Sequence, residues 1–256
     1  MNIVEASERL EQAEKTKVPI EPLTSSTTIT VDDAYRIQLH QIEAKLAKSQ
    51  LVGMKIGLTS KVMQDMFQVD TPDFGHILNT MVYDNGGQIA KSQFISPKVE
   101  FELAFLLKED LIGPNVTAED VLAATATVAP AIEIIDSRIR DWKFRFEDTV
   151  ADNGSSAGAI IGKSLPVPSL VELANIQLVA QKNGVEFDRG QSNAVMDNPA
   201  NAVAWLANML AAYDITLKAG QFILSGAITA AVPFEAGDRF DIDYGDYGQV
   251  SVTFTE

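Results

Sequence analysis

No stretch constrains the fold more than Pro97-Lys-Val-Glu-Phe-Glu-Leu-Ala-Phe-Leu-Leu107. Its period of two predicts a strand over 98–107, with Val99, Phe101, Leu103 and Phe105 on one face. Glu100 and Glu102 share the other face, about 7 Å apart along the chain, and that face continues into Ala104 and Leu106. Beyond residue 102 both faces are apolar, so the two carboxylates stand at the mouth of a buried region. Neighbouring anions there repel each other and lose hydration. A divalent cation resolves both problems; a strand end whose glutamates face water is the simpler alternative.

A further carboxylate, Glu133, sits between Ile132 and Ile134 in the short apolar strand expected over 131–136. A third ligand from another strand is what an octahedral all-oxygen site needs. The chain has no cysteine and two histidines, which removes thiolate zinc, iron–sulfur and disulfide chemistry. A metal here is therefore expected to be a hard cation such as Mg²⁺ or Mn²⁺. Lys55 lies between Gly53 and Gly57 in the apolar strand predicted over 51–58. A buried lysine there pairs with the carboxylates or orients an anionic substrate, and the glycines let backbone approach a ligand. By default, Asp73 in Thr71-Pro-Asp-Phe-Gly75 and the polar loop Ala151-Asp-Asn-Gly-Ser-Ser156 read as turns, and Asp136-Ser137-Arg138 as a salt-bridged turn. His40 reads as a surface or boundary residue, and His76 is given no site role.

The 256 residues are at the upper end for one domain. Thirty-five Asp and Glu against 20 Lys and Arg give a charge of −15, which argues against nucleic acid and against anionic membranes as partners. No apolar run reaches the ~18 residues of a membrane span, and the acidic N-terminus lacks a signal-peptide core; a cytoplasmic location is expected. Helices are predicted over 1–18, after the capping-box-like Thr30-Val-Asp-Asp33, from Thr117 to a stop at Pro130, and from Pro199 behind an Asp197 or Asn198 cap. Asn183-Gly184 marks a hairpin. Strands alternate through Phe240, Ile242, Tyr244 and through Val250, Val252, Phe254. Helices come early and strands late, so the class is α+β.

Taken together, several stretches resemble the fumarylacetoacetate hydrolase superfamily, within it the 2-keto-4-pentenoate hydratase and 4-oxalocrotonate decarboxylase branch. They are Lys55-Ile-Gly-Leu-Thr-Ser60, Pro72-Asp-Phe-Gly75, Pro97-Lys-Val-Glu-Phe-Glu102, Glu133-Ile-Ile-Asp-Ser-Arg138, Asp141-Trp-Lys143, Asp148-Thr-Val-Ala-Asp-Asn153, Asn201-Ala-Val-Ala-Trp-Leu-Ala-Asn208 and Lys218-Ala-Gly220. The resemblance implies one catalytic domain over 1–256: a mixed β-sheet roll, 51–256, carrying an N-terminal helical region, 1–50. It implies that Glu100, Glu102 and Glu133 ligate a divalent cation, Mg²⁺ or Mn²⁺. It places Lys55 and Asp73 beside the metal as catalytic groups and Ser155 and Ser156 against the substrate.

The reaction so implied is hydration of a 2-hydroxy-2,4-dienoate, such as 2-hydroxypenta-2,4-dienoate, to a 4-hydroxy-2-oxoacid in the breakdown of aromatic compounds. The alternatives are decarboxylation of 4-oxalocrotonate and, behind it, acylpyruvate hydrolysis, isomerisation or a non-catalytic partner role. A homo-oligomer is expected, with association to a paralogous decarboxylase as a further expectation. Arg138, Lys143 and Arg145 are the cations considered for a second substrate carboxylate, against the plainer reading of surface or salt-bridged residues. Gly154 departs from the alanine usual in the Ala-Asp-Asn-Ala-Ser pattern.

Overall fold

A computed structural model describes residues 2–256. In chain order the elements begin with α1 (Ile3–Thr16), α2 (Val31–Leu46), β1 (Leu51–Gly57), α3 (Lys61–Phe67), β2 (Asp73–Leu78), β3 (Val82–Tyr83) and β4 (Gln88–Ala90). Then come β5 (Lys98–Leu107), α4 (Ala118–Ala124), β6 (Thr125–Ile135), α5 (Phe146–Ala151), β7 (Ser156–Ile161), β8 (Leu165–Pro166) and α6 (Leu170–Leu173). The chain closes with β9 (Gln177–Lys182), β10 (Val185–Gln191), α7 (Pro199–Leu210), β11 (Phe222–Leu224), β12 (Val232–Pro233), β13 (Arg239–Asp243) and β14 (Gln249–Thr255). The larger sheet runs β2-β1-β11-β5-β6-β7-β3, with β12 on β5 and β8 on β6; the smaller runs β10-β9-β13-β14-β4. β1 and β11 are parallel, while β5 is antiparallel to both β11 and β6. The fold is thus α+β with mixed sheets, as its patterning predicts.

Local signals act where they stand. Thr30 Oγ1 accepts from the Asp33 N–H at 3.1 Å and the Asp33 carboxylate accepts from the Thr30 N–H at 3.1 Å, closing a capping box on α2. Asn198 caps α7 through the Ala200 N–H at 3.0 Å, with Pro199 in the first turn. α2 is bolted to the rest by two buried amides. Gln38 Nε2 donates to the carbonyls of Phe74 (3.0 Å) and Val150 (2.7 Å), and Gln41 Nε2 to that of Ala151 (2.8 Å).

Alternation divides the larger sheet into two faces. Val99, Phe101, Leu103 and Phe105 of β5, Ile132 and Ile134 of β6, and Met54 and Ile56 of β1 join the main core. The opposite face carries a separate small cluster, Ile77, Ala104, Ala131, Ala159 and Leu224. Three of its five residues are alanines.

Three expectations change. The helix from Thr117 does not run to Pro130; α4 ends at Ala124, and Pro130 lies inside β6 opposite Leu103. A proline fits there because its nitrogen faces the junction between β8, which pairs with 127–128, and β7, which pairs with 131–135. The strand around Glu133 is accordingly longer than 131–136 and begins at Thr125. Asp73 is not in a turn but opens β2 opposite Gly57. α3 and α5 have no counterpart in the periodicity reading. α3 carries an apolar stripe, Val62, Met63, Met66 and Phe67, but it is only seven residues long and buries none of them fully.

Candidate active site

The first requirement is convergence. Glu100 and Glu133 stand directly opposite each other on β5 and β6, and Glu102 follows two residues on along the same face. One carboxylate oxygen from each lies within 4.8 Å of the others. Glu102 and Glu133 are fully buried, and Glu100 is half-buried. Glu102 Oε1 and both oxygens of Glu133 are buried without a hydrogen-bond donor. Buried carboxylates without partners are costly. The three converging carboxylates are all hard oxygen donors and fit a hard dication, which would satisfy the unpartnered oxygens of Glu102 and Glu133. Of the strand-end alternative, only the half exposure of Glu100 remains.

Around this triad the neighbours are set by backbone. Glu102 Oε2 accepts from the Gly226 N–H at 2.7 Å, and the Glu102 carbonyl accepts from Tyr244 Oη at 2.8 Å. Gly226 has φ +111°, and a side chain there would strike Thr59. Lys55 projects from β1, its Nζ 3.7 Å from Glu133 Oε2. Asp73 faces Lys55 from β2, with Oδ1 buried and unpartnered. Gly57 is obligatory between them, because a Cβ there would overlap Asp73 Oδ1 and lie 2.9 Å from Lys55 Nζ.

The fourth wall is the turn Asn153-Gly154-Ser155, three consecutive residues at φ +57°, +58° and +56°. Two of them are not glycine, so the left-handed run is strained and is held by its surroundings. The Asn153 side chain holds it: Oδ1 accepts from the His76 N–H at 2.8 Å and Nδ2 donates to the His76 carbonyl at 2.9 Å, mimicking a strand partner. Glycine at 154 brings the backbone close, since a Cβ there would sit 3.2 Å from Lys55 Nζ and 3.4 Å from Asp73 Oδ2. The Ser156 hydroxyl, buried and without a partner, lies beside Glu133. Ser155 differs: its Oγ lies 3.4 Å from Thr149 Oγ1.

Electrostatics follow from burial. Desolvation raises the pKa of Glu102 well above the carboxylate range, with Glu133 and Glu100 adding repulsion. It lifts Glu133 to about 7 against the pull of Lys55, and it lifts Asp73 and Glu100 as well. For Lys55, burial alone favours the neutral amine. Glu133, Asp73, Glu100 and Glu102 outweigh it and hold Lys55 as a cation.

The remaining sequence candidates fall elsewhere. Arg138 is not a surface or turn residue but fully enclosed, bound to Asp152 through Nε and to the carbonyls of Asp136 (2.6 Å) and Ser156 (3.1 Å) through Nη1. The Asp136 carboxylate instead accepts from the N–H groups of Ile95 (2.8 Å) and Ser96 (2.7 Å). Lys143 and Arg145 are exposed. His76 packs against Phe74 on the core side of β2, where burial lowers its pKa to about 4.

That histidine yields a pH prediction. The unfolded chain protonates His76 near 6.5, whereas the fold keeps it neutral to about 4. Its contribution is therefore full above pH 6.5 and is lost as pH falls from 6.5 toward 4, by up to about 3 kcal/mol. Urea unfolding of His76→Leu at pH 7 and pH 4.5 should show a correspondingly smaller acid loss than the parent. An unchanged acid loss means that the histidine does not carry it.

The fumarylacetoacetate hydrolase C-terminal family model matches residues 56–255. The chain belongs to that family. Over 253 residues it is 46% identical to a 2-hydroxyhexa-2,4-dienoate hydratase of Comamonas testosteroni, covering 97% of this chain and 96% of that one. It is 42% identical to a 2-oxo-hept-4-ene-1,7-dioate hydratase of Escherichia coli, with 97% and 96% covered. The solved 4-oxalocrotonate decarboxylase of Pseudomonas putida G7, complexed with magnesium and adipate, superimposes with a TM-score of 0.95 at 36% identity, covering 98% of this chain and 97% of that one. Among the described residues no helix is long and apolar enough to cross a membrane.

Proposed function

We propose that the chain is a metal-dependent hydro-lyase that adds water to a 2-hydroxy-2,4-dienoate, giving a 4-hydroxy-2-oxoacid. The observation that carries this reading is the convergence of Glu100, Glu102 and Glu133 beside a buried Lys55–Asp73 pair, in a chain closely related to hydratases. In this reading the three glutamates hold Mg²⁺ or Mn²⁺, which when bound supplies a Lewis acid for an enolate oxygen. Lys55, held cationic, stabilises the negative charge that develops on the substrate's oxygens. Asp73, with a free buried oxygen and a raised pKa, passes a proton between the carbon chain and the attacking water. The dienolate gains a proton at C5, and water then adds at C4 as C3 takes up a proton. Ser156, with its free hydroxyl, is the better placed of the two serines to meet the substrate.

The whole chain acts as one catalytic domain, supported by the buried amides that tie α2 to β2 and α5. It works as a cytoplasmic homo-oligomer, for which exposed Val62 and Met66 on α3 supply apolar contact surface. Decarboxylation of 4-oxalocrotonate is the rival reading, favoured by the structural likeness to the decarboxylase. One panel separates them. With Mg²⁺ or Mn²⁺ present, 2-hydroxypenta-2,4-dienoate should lose its absorbance and 4-oxalocrotonate should release no CO₂ beyond the background. Chelator should abolish turnover and lower the melting temperature. CO₂ release without hydration of the dienoate reverses the assignment.

A further inference from the structure

The cations named from sequence for a second substrate carboxylate are unsuited to the task. Arg138 is committed to Asp152, and Lys143 is exposed with its Nζ 3.7 Å from Asp141. Arg145 is exposed at the start of α5. A different lysine stands in the right place. Lys98 opens β5 on the face that carries Glu100 and Glu102, opposite Ile135 of β6. One strand repeat, about 7 Å, separates it from Glu100, the half-buried member of the triad on the outer side of the site.

Lys98 is half-buried, and its Nζ rests 4.1 Å from the centroid of the Trp142 ring. The ring is itself fixed. Trp142 Nε1 donates to the Ser96 carbonyl at 2.9 Å, and Phe144 and then Phe67 of α3 pack behind it at centroid distances of 6.0 and 5.7 Å. Asp141 and Trp142 both take positive φ, +58° and +56°, to bring the ring over the lysine. A cation on an aromatic face is held and partly dehydrated without spending its three N–H donors. Among the described residues no carboxylate lies within ion-pair distance of Lys98 Nζ; the nearby Glu100 acts on it only through space. The result is a positioned, unneutralised ammonium one strand repeat outside the carboxylate triad.

We propose that Lys98, seated on Trp142, receives the distal carboxylate of a dicarboxylic substrate whose oxo-acid end lies at the Glu100–Glu102–Glu133 centre. The inference rests on the site assigned above and specifies its substrate class. Lys98 is a specificity residue and Trp142 its positioning residue; neither touches the reacting carbons.

Binding measures this separately from turnover. In titration calorimetry with Mg²⁺ present, the wild-type protein should bind adipate about 10- to 100-fold more tightly than hexanoate, the range of a charge-assisted hydrogen bond. Lys98→Met should erase that preference through weaker adipate binding, with hexanoate unchanged within about twofold. Lys98→Arg should keep most of it. The preference of the wild-type protein decides the matter even where a variant folds poorly. Equal affinities in the wild-type protein, or a parallel loss for both acids in Lys98→Met, overturn the proposal. Absence of dienoate turnover rejects the hydratase reading instead, while the adipate preference still judges Lys98.

Discussion

Lys55→Met should lower kcat for dienoate hydration by about 10²- to 10³-fold, the range for a lost stabiliser of developing oxyanion charge, while Mg²⁺ still raises the melting temperature. The expectation rests on division of labour. Lys55 touches the triad only at 3.7 Å from Glu133 and belongs to a different strand from all three glutamates. Its removal leaves their geometry on β5 and β6 untouched. Methionine keeps the apolar stem between Gly57 and Gly154 and deletes only the ammonium. Without that charge the carboxylates lose their one buried counterion, so metal binding should tighten or hold. The two readouts are steady-state kinetics and a Mg²⁺-dependent thermal shift. Activity within threefold of the parent would remove Lys55 from the mechanism. Loss of the thermal shift would make it part of the metal site.

The second large effect is on the fold. Arg138→Met should destabilise the protein by about 3–5 kcal/mol, the usual cost of breaking a buried ion pair from one side. Arg138 binds the Asp152 carboxylate and three carbonyls, those of Asp136, Ser156 and Asp152. Burial already pushes Asp152 to about 6 despite the guanidinium; alone, it would be an unpaired buried acid. For a chain of this size the melting temperature should fall by roughly 6–20 °C. Asp152→Asn in the same chain should recover part of the loss, and a double-mutant cycle measures the coupling. A fall below about 1 °C would show that water replaces the guanidinium at little cost.

Both predictions bear on what the sequence made legible. The period-two pattern of β5 located Glu100 and Glu102 because strand alternation is local. Glu133 was visible as a carboxylate among isoleucines, but its place opposite Glu100 depends on pairing between distant segments. Asp73 and Ser156 carried no local signal beyond turn chemistry, and it was the family resemblance that drew them to the site. Arg138 is salt-bridged, as its plainer reading expects, but a short Asp-Ser-Arg run does not reveal that its partner, Asp152, lies on a later segment or that the pair is buried. Pro130 misled because a proline that breaks helices is equally at home where a strand changes neighbours. Lys98 has no local signal in Pro97-Lys-Val-Glu, since nothing there tells that a tryptophan 44 residues on lies beneath it.

The amides of Gln38 and Gln41 carry one more consequence. The family model begins at residue 56, after α2 has ended. Yet the three carbonyls those amides cap belong to Phe74, next to Asp73, and to Val150 and Ala151, just ahead of the turn at Asn153. The helical segment is therefore not a module that recombination could trade freely for another. A substitute would have to present two amide donors, one helical turn apart, to the same three acceptors. Divergence in this part of the chain is limited by the catalytic half, although none of its side chains takes part in the chemistry.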